Sequence, residues 1–151
     1  EVKDRDGNEL VLVPRRHVAE IGGAVTDHRQ LLELAAKAAG IKYDAEKSKP
    51  NAVSGAFFGL WLEIDGEPNE YTRRSWNPLV NDGDCARMCA ALLIGTTWWN
   101  HKVECWCIDE LKNIDIGLTP EQFTEHNNDR SAAWRMAALR VAAEIGKGMR
   151  G

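Results

Sequence analysis

The stretch from Trp76 to Leu93 constrains the fold more than any other. In it a turn, a helix start and an apolar stripe follow one another without a gap. Asn77-Pro78 opens the turn. Asp82 and Asp84 supply the acceptors and negative charge that a helix N-terminus attracts, and Cys85, Met88, Cys89 and Leu92 recur at helical spacing. The rest of the chain is read as organised about that helix.

Upstream, Asp6-Gly7-Asn8 is a turn before the short apolar run Leu10 to Val13, a strand or extended arm stopped by Pro14. Arg15 to Ala24 is broken by Gly22-Gly23, so residues 1–25 read as an N-terminal arm or linker and 26–151 as the domain. A helix starts at Thr26 or Asp27, carries Leu31, Leu34, Ala35 and Ala38 on one stripe, and stops at Gly40. Ile41 and Tyr43 suit a short extended piece, and Asp44 to Ser54 is charged and aperiodic, a mobile surface loop. Phe57 to Ile64 and Tyr71 to Trp76 form a hairpin about Asp65-Gly66. Thr96 to Trp99 and Val103 to Ile108 form a second about Asn100-His101-Lys102, and Leu111 to Glu125 is a long loop with one helical turn after Pro120. The last helix is capped by Asn128 or Asp129, lays Trp134, Ala138, Val141 and Ile145 on the sheet, and ends at Gly146. Helix, two strands, helix, two strands, helix gives an α+β domain with an antiparallel four-stranded sheet and about three helices.

Several blocks resemble one family. Leu31 to Gly40, Trp76-Asn77-Pro78-Leu79 with Asn81-Asp82-Gly83-Asp84 and Arg87, a strand pair, and Arg140 to Gly146 are similar, in that order, to the phage ABA-sandwich domain family. The resemblance covers roughly Gln30 to Gly146. It implies a three-layer α/β/α sandwich in a small bacteriophage protein, and since the family has no assigned activity it supplies no catalytic residue. Lys3 to Arg15 resembles a segment that recurs in mosaic phage proteins. Cys85 and Cys89 stand where the family has small or aliphatic residues, and Trp98-Trp99 and the loop after Leu111 are not part of its pattern.

Composition bounds the function. Acidic residues outnumber basic ones 23 to 19, a net charge of -4, which weighs against a general nucleic-acid binder. No apolar run approaches the roughly 18 residues of a membrane span, so the expectation is a soluble, cytoplasmic protein with no membrane partner. Cys85, Cys89, Cys105 and Cys107 have the residue types for a zinc site. Spacing of one helical turn is not that of a zinc knuckle, however, and small core thiols are the bland reading. Asn81-Asp82-Gly83-Asp84 resembles a fragment of a calcium loop, but helix capping explains it better. His17, His28, His101 and His126 fall in no motif; Cys105 with His101 or His126 is a nucleophile pair only if the fold joins them. Tyr71, Arg73 and Arg74, with Trp61, Trp98, Trp99 and Trp106, have the composition of an aromatic, cationic recess, against a reading in which Trp61 and Trp106 are core.

These readings lead to a phage accessory protein in the host cytoplasm that acts by binding, through Arg73, Arg74, Trp98 and Trp99. Its partner would be a host protein or a small signalling molecule, with host modulation or anti-defence as the outcome. No cofactor, metal or catalytic residue is expected, and homo-oligomers are compatible. The rivals are a cysteine-based metalloprotein or enzyme, and a structural or nucleic-acid-associated phage component.

Overall fold

The computed structural model describes residues 27–63, 75–109, 114–117 and 120–149. The N-terminal arm, the Asp65-Gly66 turn, Tyr71, Arg73, Arg74 and His17 lie outside the described residues.

The order is α1 (His28–Ala39), β1 (Tyr43–Asp44), β2 (Leu60–Leu62), β3 (Ser75–Trp76), α2 (Asp82–Leu92), β4 (Ile94–Trp98), β5 (Lys102–Asp109), β6 (Ile114–Gly117), β7 (Glu121–Gln122), a 3-10 turn (Phe123–His126) and α3 (Arg130–Gly148). The fold is α+β, with three helices and two antiparallel sheets among the described residues. One sheet is β1-β2-β3; the other has four strands, β4-β5-β6 with β7 also on β5.

The expected four-stranded sheet joins the two hairpins, whereas in the structure the first hairpin stands in its own sheet. The other two strands of the larger sheet come from Leu111 to Glu125, expected as loop. Each of these strands is short, four and two residues, too brief for a period of two to emerge from its polar neighbours. They form because β5 is long enough to offer both of them an edge.

The helices start and stop by local chemistry. Asp27 accepts the Arg29 N–H at 2.9 Å, and Gly40, at φ +70°, closes α1 by donating to the Ala36 and Lys37 carbonyls. Asn81, one residue before the acidic pair, caps α2 by accepting the Asp84 N–H at 2.8 Å. Asp84 itself is buried. It accepts the Asn77 N–H and pairs with Arg87, each at 2.9 Å, and so ties the end of β3 to the start of α2. Asp129 caps α3 through the Ala132 N–H at 3.0 Å.

The centre of the molecule is α3 rather than α2. Ala133, Ala137, Ala138, Leu139, Val141, Ala142, Ala143 and Gly146 are buried on several sides of it, the pattern of a helix enclosed by neighbours. It lies against β5, and α1 and α2 lie against it. Its small side chains let α1 come close. A Cβ on Gly146 would collide with the backbone of Leu34, so this glycine is a packing residue inside the helix, which runs on to Gly148. α1 turns Leu31, Leu32, Ala35 and Ala36 inward, a face shifted slightly from the expected stripe.

The loop after β1 is anchored. Ser48 is buried, donates to the Asp44 carbonyl at 2.6 Å and accepts the Trp61 N–H at 2.8 Å.

A candidate binding face on the β4–β5 hairpin

Register sorts the side chains of the larger sheet. β4 pairs with β5 as Ile94 with Cys107, Gly95 with Trp106, Thr96 with Cys105, Thr97 with Glu104 and Trp98 with Val103. Directly opposed residues share a face. Ile94, Thr96 and Trp98 therefore lie with Val103, Cys105 and Cys107 on the face toward α2 and α3, and Gly95, Thr97, Glu104, Trp106 and Ile108 lie on the other. Val103, Cys105 and Cys107 are buried, whereas Trp106 and Ile108 are exposed. No described helix covers that outer face.

Three tryptophans of the hairpin reach solvent: Trp98 is 50% exposed, Trp99 40% and Trp106 36%. The Trp106 ring lies over Gly95, where any Cβ would strike it, and its Nε1 donates to Thr97 Oγ1 at 3.0 Å. The ring is thereby held flat on the sheet with one side outward. Lys102 Nζ sits 4.8 Å from the Trp99 ring centre, a cation–π contact on the same outer side. Trp98 belongs to the inner face, beyond the end of the helix cover, and its ring meets Phe123 at 6.3 Å with a 41° tilt. Trp98 and Trp99, adjacent in sequence, thus point to opposite sides.

Of the residues expected to form a recess, Trp61 stands in the other sheet, opposite Asp44 and Ser75. Trp106, the ring the bland reading placed in the core, is on the surface. Alternation within Lys102–Asp109 contained that answer: once Val103, Cys105 and Cys107 share the inner face, Trp106 must be outside. A cleft of about 500 Å³ lies elsewhere, between α1 and β1, lined by Gln30, Glu33, Leu34, Lys37 and Tyr43. Burial and the nearby Glu33 carboxylate raise the Tyr43 phenol above its ordinary range.

Sequence reasoning missed one polar cluster. Glu121 is buried, its Oε2 meets His126 Nε2 at 3.0 Å, and its Oε1 lies 2.8 Å from Arg140 Nε. The last is an ion-pair contact in which the N–H is not aimed at the oxygen. The cluster clamps β7 and the 3-10 turn to α3, while Arg130 covers the Phe123 ring at 5.3 Å. Its members come from a segment with no periodicity and from the middle of an apolar helix, and no spacing rule links them.

The four cysteines are free thiols. Cys85 is hydrogen-bonded to Cys89 and fully buried, and both effects hold its proton well above the usual thiol range. The same bond lowers Cys89. Burial pushes Cys105 up to about 12, with Thr96 Oγ1 3.5 Å from its sulfur. Cys107 donates to the Leu92 carbonyl at 3.4 Å. Among the described residues no group of three or more His, Cys, Asp or Glu side chains is placed to hold a metal ion. Asp82 and Asp84, the calcium-loop candidates, are taken by Arg135, Arg87 and the Asn77 N–H.

Comparison with protein-family models, curated proteins and solved structures finds no match for the chain. Among the described residues no helix is long and apolar enough to cross a membrane.

Proposed function

We propose that the chain is a bacteriophage accessory protein that works by binding, and that its partner is a host protein engaged by the β4–β5 hairpin. The observation that carries the reading is the exposure of Trp99 and Trp106 together on the outer face of one hairpin. Tryptophan is a residue that folding ordinarily conceals and binding hot spots use. Its rings here are fixed before a partner arrives: Trp106 by Gly95 and Thr97, Trp99 by Lys102. Less side-chain freedom is then lost on binding.

The Trp99 and Trp106 rings spread over the outer sheet face, with Trp98 on the other side, whereas small molecules favour concave sites that enclose most of their surface. That favours a macromolecular partner over a small signalling molecule. Arg73 and Arg74 are the cationic groups the sequence adds to the proposal. The phage origin rests on the resemblance of the Leu31–Gly40, Trp76–Arg87 and Arg140–Gly146 blocks, and from it follow action in the host cytoplasm and interference with a host process such as defence.

The test places a photo-reactive residue at Ile108, on the outer face, in host cells, and compares otherwise wild-type protein with Trp99→Ala and Arg74→Ala. One host protein should crosslink stoichiometrically to the wild type and be lost from the folded Trp99→Ala variant. Equal crosslinking of wild type and Trp99→Ala overturns the reading.

A further inference from the structure

The far edge of β4 is paired by no described strand. Trp99 donates its N–H to the Lys102 carbonyl at 2.9 Å. By alternation Thr97 and Gly95 also turn their main chain toward β5, while Ile94, Thr96 and Trp98 turn theirs outward. An edge of this kind is a template for another strand, and proteins that must keep edges apart place Lys, Pro or a bulge there. β4 has none of these. It is Ile-Gly-Thr-Thr-Trp, uncharged, in unbroken one-to-one register with β5. The strands on the other side of β5 differ, since β6 contains Asp115 and β7 contains Glu121.

We propose that β4 pairs antiparallel with β4 of a second copy of this chain, about a twofold axis at Thr96, so that two four-stranded sheets become one. This register matches all five residues. Thr96 meets Thr96 of the other copy, Ile94 meets its Trp98, and Gly95 meets its Thr97. The pairs are Thr–Thr, aliphatic–aromatic and small–medium, each of a kind that stabilises or tolerates cross-strand contact, and no like charges are opposed. Moving the axis to Gly95 leaves Trp98 without an opposite residue in the strand, and moving it to Thr97 does the same to Ile94. The central register also forms roughly six main-chain hydrogen bonds from groups that pair with no described strand. A five-residue strand pair is smaller than the roughly 1,200–2,000 Å² of stable interfaces. The half-exposed Trp98 rings therefore have to contribute, and the dimer is a reversible one.

The pairing rests on observations separate from those of the host-partner reading, because it uses the edge and Trp98 and leaves Trp99 and Trp106 on the outer face. Sedimentation equilibrium over a roughly 100-fold concentration range should show reversible dimerisation of the wild-type chain. Amide exchange should show protection of Thr96 and Trp98 that rises with concentration. Thr96→Pro removes an outward N–H and should yield a monomer. Because the Thr96 hydroxyl also meets Trp134 and Cys105, Trp98→Lys is the second variant; it sets a charge opposite Ile94 of the other copy and should weaken the dimer at least tenfold. Trp99→Ala should remain dimeric. A wild-type chain that stays monomeric throughout overturns the proposal, as does a dimer of undiminished affinity in folded Trp98→Lys.

Discussion

Replacing Gly146 by alanine tests the central packing of the molecule, because helix propensity and packing make opposite forecasts for it. Within a helix, alanine is favoured over glycine by about 1 kcal/mol. At Gly146, however, the added Cβ meets the oxygen, carbonyl carbon and Cα of Leu34. These are main-chain atoms of α1 that cannot rotate away as a side-chain tip can. Overpacking costs about 1–3 kcal/mol, and a rigid neighbour places this site at the upper end. With propensity subtracted, the loss is about 2 kcal/mol, a melting-temperature drop of about 4–8 °C for a chain of this size. Gly148, in the same helix with no heavy atom within 4 Å of its notional Cβ, is the internal control. Gly148→Ala should leave stability unchanged or raise it by up to about 1 kcal/mol. Urea unfolding of both variants, read by circular dichroism, separates the cases. If Gly146→Ala is as stable as the wild type, α1 and α3 do not touch at Leu34 and the arrangement around α3 is wrong.

Four further outcomes are open to measurement. Leu93 closes α2 at φ +55° with its side chain 77% exposed, so Leu93→Gly relieves a left-handed strain at little packing cost and should stabilise by about 0.5–1 kcal/mol; a loss would show that the leucine is held by contacts. Trp134 donates Nε1 to Thr96 Oγ1 at 3.2 Å, and Trp134→Phe should cost about 1 kcal/mol against about 3 for Trp134→Ala, with a fully stable Trp134→Phe arguing that the hydrogen bond contributes nothing. Asp84→Ala strips the buried Asn77 N–H of its acceptor and should cost about 1–3 kcal/mol in urea unfolding, while a neutral result would mean water reaches that amide. Burial raises Cys105 from about 9 to about 12. The unfolded chain therefore ionises first as pH rises, and this group's contribution, whole below pH 9, declines between those values by up to about 1.4 kcal/mol per pH unit. Cys105→Ala should have a shallower alkaline loss of stability, and parallel curves would refute the assignment.

What the sequence made legible follows from how local each signal is. The caps Asp27, Gly40 and Asp129 stand next to the groups they satisfy, and α1 and α3 could be placed from them; α2 could be placed from Asp82, Asp84 and its apolar stripe, which begin one residue after its cap Asn81. The β4–β5 hairpin was legible because both strands are long enough to show alternation. β6 and β7 were not, since their pairing depends on the length of β5, a property of a distant segment. Gly146 was misread as a stop signal for the same reason: glycine near a helix end is ambiguous until the neighbour is known, and the neighbour is Leu34, more than a hundred residues away in sequence. The Glu121–His126–Arg140 cluster likewise exists only through tertiary contact. Reading Trp61 together with Trp98, Trp99 and Trp106 presumed one sheet, and the separation of β1-β2-β3 from β4-β5-β6 divides them.

The alternation of a strand gives the Trp98-Trp99 pair its consequence. Two adjacent rings on a helix or in a loop can join one binding surface, but at the end of β4 they project to opposite sides, Trp98 toward Phe123 and Trp99 toward Lys102. A single partner approaching either face therefore meets only one of them, and the two rings serve different contacts. Trp98, next to the open edge and level with Ile94 and Thr96, is placed to be buried when another strand arrives there. Trp99, level with Thr97 and Trp106, is placed to be buried when something lies on the outer face. If the edge joins two copies, the outer faces of both become continuous, and each contributes a Trp106 ring already flattened over Gly95. A partner too weakly held by one such face gains from the second without any new kind of contact, because the second engagement occurs at the high effective concentration set by the first. Pairing at the edge and recognition on the face are then coupled through geometry alone, and weakening the edge at Trp98 lowers partner affinity while leaving every outer-face side chain in place.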